Sequence, residues 1–285
     1  MDEVRGLLGE HLDELRRRNY SDGTIGQRRY ALRRFGRWLG GRDVATATMY
    51  DVLGFIDRRQ RDGTRLNPRS QNAELAHLKG FYKWCVRRGH LEVNPVEQVD
   101  RPKMPRALPR PISEPSLTLA LDNAPDRVRP WLYLAGYAGL RACEIAPLRA
   151  EDLWWHLSPP LLHVRRGKGG DAGTVPISPI LVPVLERPKT GLLFPRYDGQ
   201  PGPNAPHLVS QLSNKYLHRL GIAETLHSLR HRFGTQVYRA SGRDIRQTQD
   251  LMRHATITST QIYTYVDPVE AAATIAALPA QPFVD

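Results

Sequence analysis

The chain has 285 residues, enough for one large domain or two ordinary ones, and its 40% hydrophobic and 25% charged content excludes general disorder. Lys and Arg number 41 against 29 Asp and Glu, a formal charge of +12, so a polyanion is the expected partner, nucleic acid first among them. Cys85 and Cys143 stand far apart without a metal-ligand or redox spacing, Met1 to Arg5 carry no signal-like apolar run, and no apolar stretch approaches the roughly 20 residues of a membrane span, so a soluble, cytoplasmic, disulfide-free protein is expected.

The first hundred residues read as four helices. Val4, Leu7, Leu8, His11, Leu12 and Leu15 recur at three- and four-residue steps and line one helix face. Ser21-Asp22 offers an N-cap for a second helix carrying Ile25, Tyr30, Leu32, Phe35, Trp38 and Leu39, which ends at Gly40-Gly41. Arg28, Arg29, Arg33, Arg34 and Arg37 are interleaved along it, either as phosphate contacts or as a solvated face over an ordinary core. Met49, Val52, Leu53 and Ile56 suggest a third helix, residues 61–65 a loop, and Asn67-Pro68 the start of a fourth with Leu75, Leu78, Phe81 and Tyr82 as its apolar side. These residues, 1–93, make a small basic helical bundle. From Asn94 to Pro111, Pro95, Pro102, Pro105, Pro109 and Pro111 alternate with Arg101, Lys103, Arg106 and Arg110, which forbids a helix and predicts an extended basic linker over 94–111.

The remainder, 112–285, is mixed. Helices are expected from Ser113-Glu114, over Arg129 to Tyr137, over Ala142 to Leu148, from about Ile180, and over Val209 to Leu220. Leu161–Val164 and Gly173–Pro176 flank a glycine-rich basic turn, a hairpin pattern with a long tip. The tail from Val269 to Leu278 is alanine-rich and too weakly apolar for a core of its own. The fold class is therefore mainly α with a small β-sheet or hairpin (α+β).

Taken singly, the polar residues of this half are unremarkable. Arg141 follows Gly139-Leu140 at a helix start, where an arginine is ordinarily a surface residue, and Lys168 at a hairpin tip is ordinarily solvated. His227 and Arg230 are three apart and share a helix face. Tyr263 lies nine residues beyond His254. Their combination suits attack on a phosphodiester by a tyrosine hydroxyl. Two guanidinium forks match the non-bridging oxygens, where charge builds in the transition state. A histidine can assist at the tyrosine, a lysine can protonate the leaving 5′ oxygen, and the tyrosine can carry the strand covalently.

The runs Gly139 to Ile145, Arg166 to Gly170, His227 to His231, and Leu251 to His254 followed by Gln261 to Tyr263 resemble, in order and spacing, those of the tyrosine recombinase (integrase) family. The likeness extends over nearly the whole chain, with the basic bundle resembling that family's core-binding domain and the second half its catalytic domain. It implies Arg141 and Arg230 as phosphate clamp, Lys168 as general acid, His227 at the tyrosine, His254 on the phosphate, Glu144 as an orienting acid, and Tyr263 as nucleophile of a 3′-phosphotyrosyl bond. It also implies two strand exchanges through a Holliday junction, on double-stranded DNA with inverted-repeat core sites. The protein would be a homotetramer on DNA and a monomer or weak dimer when free, with the tail docking into a neighbour and no cofactor. Candidate DNA contacts are Arg28, Arg29, Arg33, Arg34, Arg101, Lys103 and Arg166.

Two positions depart from the pattern. Arg253 stands where glycine is frequent, and Asp171 where a further basic residue is common. Tyr265 is a rival to Tyr263, since residues two apart on a helix point in different directions. A zinc site on His227, His231 and His254 lacks the glutamate and cysteine partners such sites use, so no metal is expected. The remaining alternatives are a type IB topoisomerase and a relative that binds DNA without cleaving it. Within the recombinases, the layout suits Xer-like dimer resolution or a small integrase.

Overall fold

A computed structural model describes residues 2–60, 62–104, 110–165, 172–186 and 190–264. The chain divides into two compact units, residues 1–106 and 107–285.

The first unit is built from helices α1 (Asp2–Arg17), α2 (Asp22–Trp38), α3 (Met49–Asp57) and α4 (Pro68–Arg87). Each start after α1 carries its own cap. The Ser21 hydroxyl accepts from the Thr24 N–H, Thr48 and Asp51 form a reciprocal capping box, and Asn67 accepts from Ser70 ahead of Pro68 in the first turn. The long helix α4 supplies the centre of the core, where Leu75, Leu78 and Tyr82 are fully buried against Phe35, Val52 and Phe55. The Tyr82 hydroxyl donates to the Val44 carbonyl at 2.8 Å, which satisfies the one polar group that the ring brings inside. Val96 and Val99, in the stretch expected to be linker, are buried in this same core. Pro105, Arg106 and Pro109 lie outside the described residues.

The second unit contains α5 (Glu114–Asp122), α6 (Arg129–Tyr137), α7 (Ala142–Ile145), a small sheet, α8 (Val182–Leu185), α9 (Pro206–Arg219), α10 (Leu226–Ala240) and α11 (Ile245–Met252). Strands β1 (Leu153–Trp154), β2 (Leu161–Val164) and β3 (Gly173–Pro176) form an antiparallel sheet in that order, with Val164 opposite Gly173 at the end of the hairpin where the two strands are connected. Helix α6, carrying the buried Trp131, Leu132, Leu134 and Ala135, packs along α10 and anchors it through Leu229. Leu162, Val164 and Val175 bring the inner face of the sheet to the same core.

Some elements differ from the expectation. The helix expected over Ala142 to Leu148 is a single turn, because Pro147 has no N–H to continue the ladder. Strand β1 was not expected, since two residues cannot display a period of two. Helix α9 begins three residues earlier than the apolar pattern indicates, on Pro206, whose fixed φ suits a first turn. No described helix is long and apolar enough to cross a membrane. The tail from Val269 to Leu278 lies outside the described residues.

Candidate active site

Three arginines converge on one carboxylate in the second unit. Helix α6 stops at Gly139, whose φ of +61 puts it in the left-handed region, and a Cβ there would also run into the Phe233 ring. The turn delivers Arg141 to the start of α7, where the Glu144 carboxylate accepts from the Arg141 backbone N–H at 2.9 Å and from its guanidinium at 2.7 Å. Arg230, on α10 and only 1% exposed, stands 3.8 Å from the same carboxylate. Its fork donates to the Gly139 carbonyl and, at 2.6 Å, to the Met252 carbonyl. Arg253 completes the set, donating to Glu144 at 3.0 Å and to the Gly139 carbonyl at 3.1 Å.

Arg253 accounts for the departure noted in the sequence. It ends α11 with φ 52 and ψ 51, the left-handed conformation that a glycine adopts without cost. A non-glycine residue there costs on the order of 1 kcal/mol or more. Here the ion pair with Glu144 and the bond to Gly139 offset that cost. The stem of Arg253 lies over Gly173 of β3, where a Cβ would come within 3.0 Å of its Cδ. The position that usually relieves a turn has become a third cation.

The electrostatics follow from the count. Three guanidinium groups against one carboxylate leave a surplus of two positive charges in a largely buried cluster. Burial alone would raise the Glu144 pKa. Arg253, the Arg141 N–H, Arg230 and Arg141 outweigh it and hold the carboxyl below its ordinary range. Arg230 feels the opposite balance. Burial and the like charge of Arg141 exceed the pull of Glu144 and bring its pKa down to about 9. An anion entering this cluster would relieve both the burial cost and the repulsion among the cations.

Tyr263 lies against this cluster, 3% exposed. A tight turn over 257–259 leads to Thr260, which accepts a bond from the Tyr263 N–H at 2.9 Å, and the tyrosine sits in a second 3-10 turn, 261–264. Its ring is stacked on His254, with planes 12° apart and centroids 5.9 Å apart. His254 is held in turn by Thr260 at 3.0 Å and, through its carbonyl, by Gln249 at 2.9 Å. The hydroxyl meets His231 Nδ1 at 3.2 Å. Burial pushes the tyrosine pKa up to about 12, against the pull of Arg230 and Arg141. Burial also takes His231 down to about 4, assisted by His227 and Arg230, and His254 down to about 3, assisted by the three arginines. Both imidazoles are therefore neutral at pH 7 and able to accept a proton or a hydrogen bond.

The resemblance implies His227 at the tyrosine; the structure brings His231 to its hydroxyl. His227 stands one turn earlier on α10, edge-on to His231 with centroids 4.5 Å apart. It lines, with Arg141, Cys143, His207 and Ser210, a cavity of about 440 Å³. Arg141, Glu144, Arg230, His227, His254 and Tyr263 are thus gathered in one region. Lys168, Arg166, Asp171 and Tyr265 lie outside the described residues.

The basic residues of the first unit divide into two groups. Arg28 donates to the His77 carbonyl at 2.8 Å and lies over Gly80, which makes it a packing element between α2 and α4. Arg34 pairs with Glu74 at 3.0 Å, and Glu74 also holds Arg58. Arg29 is half-buried, whereas Arg33, Arg101 and Lys103 are exposed. Among the described residues, no group of three or more His, Cys, Asp or Glu is arranged to hold a metal.

Gly234 is a site residue that the sequence reading did not single out. It lies on the α10 face of His227 and His231, and the Tyr263 ring rests directly on its α-carbon; a Cβ there would stand 2.5 Å from Tyr263 Cζ. The signal available in the sequence was a glycine inside an otherwise helical pattern, which ordinarily costs about 1 kcal/mol and so wants a packing reason. Gly234→Ala is expected to lower the melting temperature by a few degrees, because the roughly 1 kcal/mol that alanine gains in a helix is outweighed by displacing the buried Tyr263 ring from its contacts with His254 and His231. It should slow strand cleavage on the order of 10²-fold by lifting the tyrosine off its seat. Parallel melting and single-turnover cleavage measurements check the pair of effects.

Known proteins resemble this chain over both of its units. Residues 114–270 match the model of the phage integrase family, and residues 7–90 match the phage integrase N-terminal SAM-like domain. The chain is 31% identical to tyrosine recombinase XerC 2 of Ralstonia nicotianae, over 90% of this chain and 80% of that protein. It is also 31% identical to tyrosine recombinase XerA of Pyrococcus horikoshii, over 91% and 89%. The fold resembles that of a lambda integrase dimer bound to a COC′ core site (TM-score 0.69, 15% identity, 92% of this chain and 95% of that one). It likewise resembles the Tn1549 transposon integrase in complex with transposon right end DNA (TM-score 0.68, 18% identity, 96% and 99%).

Proposed function

The chain belongs to the phage integrase family of tyrosine recombinases, enzymes that cleave and rejoin DNA, and we propose how its own residues carry out that site-specific recombination. The reading rests on one observation: the Tyr263 hydroxyl is buried beside an arginine cluster with two positive charges in excess. A phosphodiester carries one negative charge, and the pentavalent transition state formed by an attacking tyrosine carries two. The cluster therefore binds the transition state better than the ground state, which is the requirement for catalysis rather than mere binding. Arg141 and Arg230 clamp the non-bridging oxygens with rigid forks, and Glu144 fixes the orientation of Arg141. His254 donates to the phosphate, and His227 stands in the cavity beside Arg141. Tyr263 attacks phosphorus, the 3′ end becomes esterified to it, and Lys168 protonates the departing 5′ oxygen.

DNA is the partner. The finer arrangement follows the family: a tetramer on inverted-repeat core sites, active in alternating pairs and passing through a Holliday junction. Arg33, Arg101 and Lys103, exposed on the first unit, are suited to backbone phosphates and would give binding a salt dependence. The test uses a duplex recovered from a randomised pool by retention on the full-length chain. Two copies of it are placed on one supercoiled plasmid. Deletion or inversion between the copies, lost in Tyr263→Phe, is the expected result. Relaxation of the plasmid without exchange would instead indicate a topoisomerase, and retention without cleavage a binding protein.

A further inference from the structure

The roles implied by resemblance leave His231 without one, yet it is the side chain bonded to the nucleophile. We propose that His231 is a further catalytic residue, the general base that takes the Tyr263 proton as the hydroxyl attacks phosphorus. The proposal rests on the reading of Tyr263 as nucleophile, and four observations carry it.

The first is contact. His231 Nδ1 is 3.2 Å from the Tyr263 oxygen, within reach for direct proton transfer, and the rings are 5.8 Å apart at 58°. The second is the way the contact is built. The tyrosine ring is seated on the bare α-carbon of Gly234, three residues beyond His231 on the same face of α10. Tyr263 Cζ, the carbon that bears the hydroxyl, is the atom nearest a Cβ placed on Gly234, at 2.5 Å, so the hydroxyl end of the ring is the part held over this face, within reach of the residue one turn back. That residue is His231. His227 lies a further turn away, edge-on to His231 and beside Arg141.

The third observation concerns charge. The ionisable groups acting on His231 are His227 and Arg230 of its own helix and, across from it, Tyr263 and His254. On the other flanks of α10, Arg232 lies over Tyr137 of α6, and Arg246 faces Asp250 on α11. No carboxylate among these is bonded to His231, so its imidazole rests neutral. In the tautomer the proposal calls for, Nε2 carries the ring proton and Nδ1 accepts the bond from the hydroxyl. The fourth is timing. Protonating this imidazole is unfavourable while the cluster carries its surplus of positive charge, and becomes favourable as the phosphorus gains its second negative charge. The new positive charge therefore appears when the transition state can use it.

The step balances. The Tyr263 O–H bond breaks and its proton passes to His231 Nδ1. The Tyr263 oxygen bonds to phosphorus, the bond from phosphorus to the 5′ oxygen breaks, and that oxygen takes its proton from Lys168. On rejoining, the 5′ hydroxyl returns a proton to the lysine, and His231 returns one to the departing tyrosine. His227 is left to serve the phosphate with Arg141, so the two histidines of one helix face divide the work.

The experiment measures single-turnover cleavage by the full-length chain of the selected duplex, nicked so that the cleaved end is lost, between about pH 6.5 and 9. The wild-type rate should be flat over this range, since His231 is neutral and Tyr263 protonated throughout. His231→Ala and His231→Gln should both be slower by about 10²-fold or more at neutral pH, with rates rising about tenfold per pH unit as tyrosinate forms without a base. His227→Ala should be slower but flat. Glutamine keeps a hydrogen-bond acceptor without basicity, so a near-wild-type rate in His231→Gln would reduce His231 to a positioning role and overturn the proposal. Flat profiles in both His231 variants, or a rising one in His227→Ala, would overturn it as well. Retention of the duplex by each variant reports that it is folded. A covalent adduct formed by Tyr263→Phe would show instead that the underlying reading of the nucleophile had failed.

Discussion

Tyr263→Phe is expected to lower strand cleavage by at least about 10⁴-fold and to abolish the covalent adduct, while leaving DNA retention and melting temperature close to wild type. The asymmetry follows from what the hydroxyl touches. The ring is seated on Gly234 and stacked on His254, and phenylalanine keeps both contacts. The hydroxyl's hydrogen bond is to His231. Its loss leaves one imidazole nitrogen unpaired, at a cost of about 1–2 kcal/mol, and this is partly recovered because the phenol no longer has to be desolvated. The effect on chemistry is far larger, since the substitution removes the attacking oxygen itself. Gel retention of the selected duplex, run alongside covalent capture on the nicked form, separates binding from cleavage.

Glu144→Gln should produce the opposite pattern, a large loss of stability. The carboxylate is the common partner of Arg141, Arg230 and Arg253, and its side chain has no exposed surface. Removing its charge leaves buried guanidinium groups facing one another, and breaking a buried pair in this way typically costs about 3–5 kcal/mol. For a unit of this size, that corresponds to a fall in melting temperature on the order of 10 °C. The deficit should shrink when DNA or sulfate is present, because an anion in the clamp supplies the missing counter-charge. The pH dependence has a definite sign. The folded-state pKa of Glu144 is depressed, so its contribution is complete above the ordinary carboxylate pKa and is lost as pH falls through the depressed value. The gap between wild type and Glu144→Gln should therefore narrow in acid, below about pH 4. Thermal melts across that range, with and without duplex, check both parts.

The residues that the fold gathers around Tyr263 could be picked out in the sequence because the side chains that phosphoryl transfer calls for leave a pattern there. Arg141, Arg230 and Tyr263 are distant in the chain and adjacent in the fold, as the motif implied. What stayed hidden depended on approach geometry. His227 and His231 share a helix face, and spacing alone cannot say over which turn the tyrosine arrives. That is decided by the seat on Gly234, a contact between segments about thirty residues apart. Arg253 was visible only as a departure from glycine. Its left-handed backbone and its bond to Glu144 are tertiary facts, as is the Gly139 carbonyl that two arginines share. Similarly, the arginine ridge of α2 reads uniformly as charge, yet Arg28 is taken up by α4 through the His77 carbonyl and Gly80, and Arg34 by Glu74. The two-residue β1 was too short to leave any period, and the helix read over Ala142 to Leu148 is cut to the single turn of α7 by Pro147.

On the reading proposed above, the buried tyrosine beside the arginine cluster is the group that carries the DNA strand. The most direct test is to trap the covalent complex of the wild-type chain on the nicked duplex, digest it, and identify the modified peptide by mass spectrometry. A single adduct is expected, a 3′-phosphate esterified to Tyr263. An adduct on Tyr265, or on any residue other than Tyr263, would contradict it.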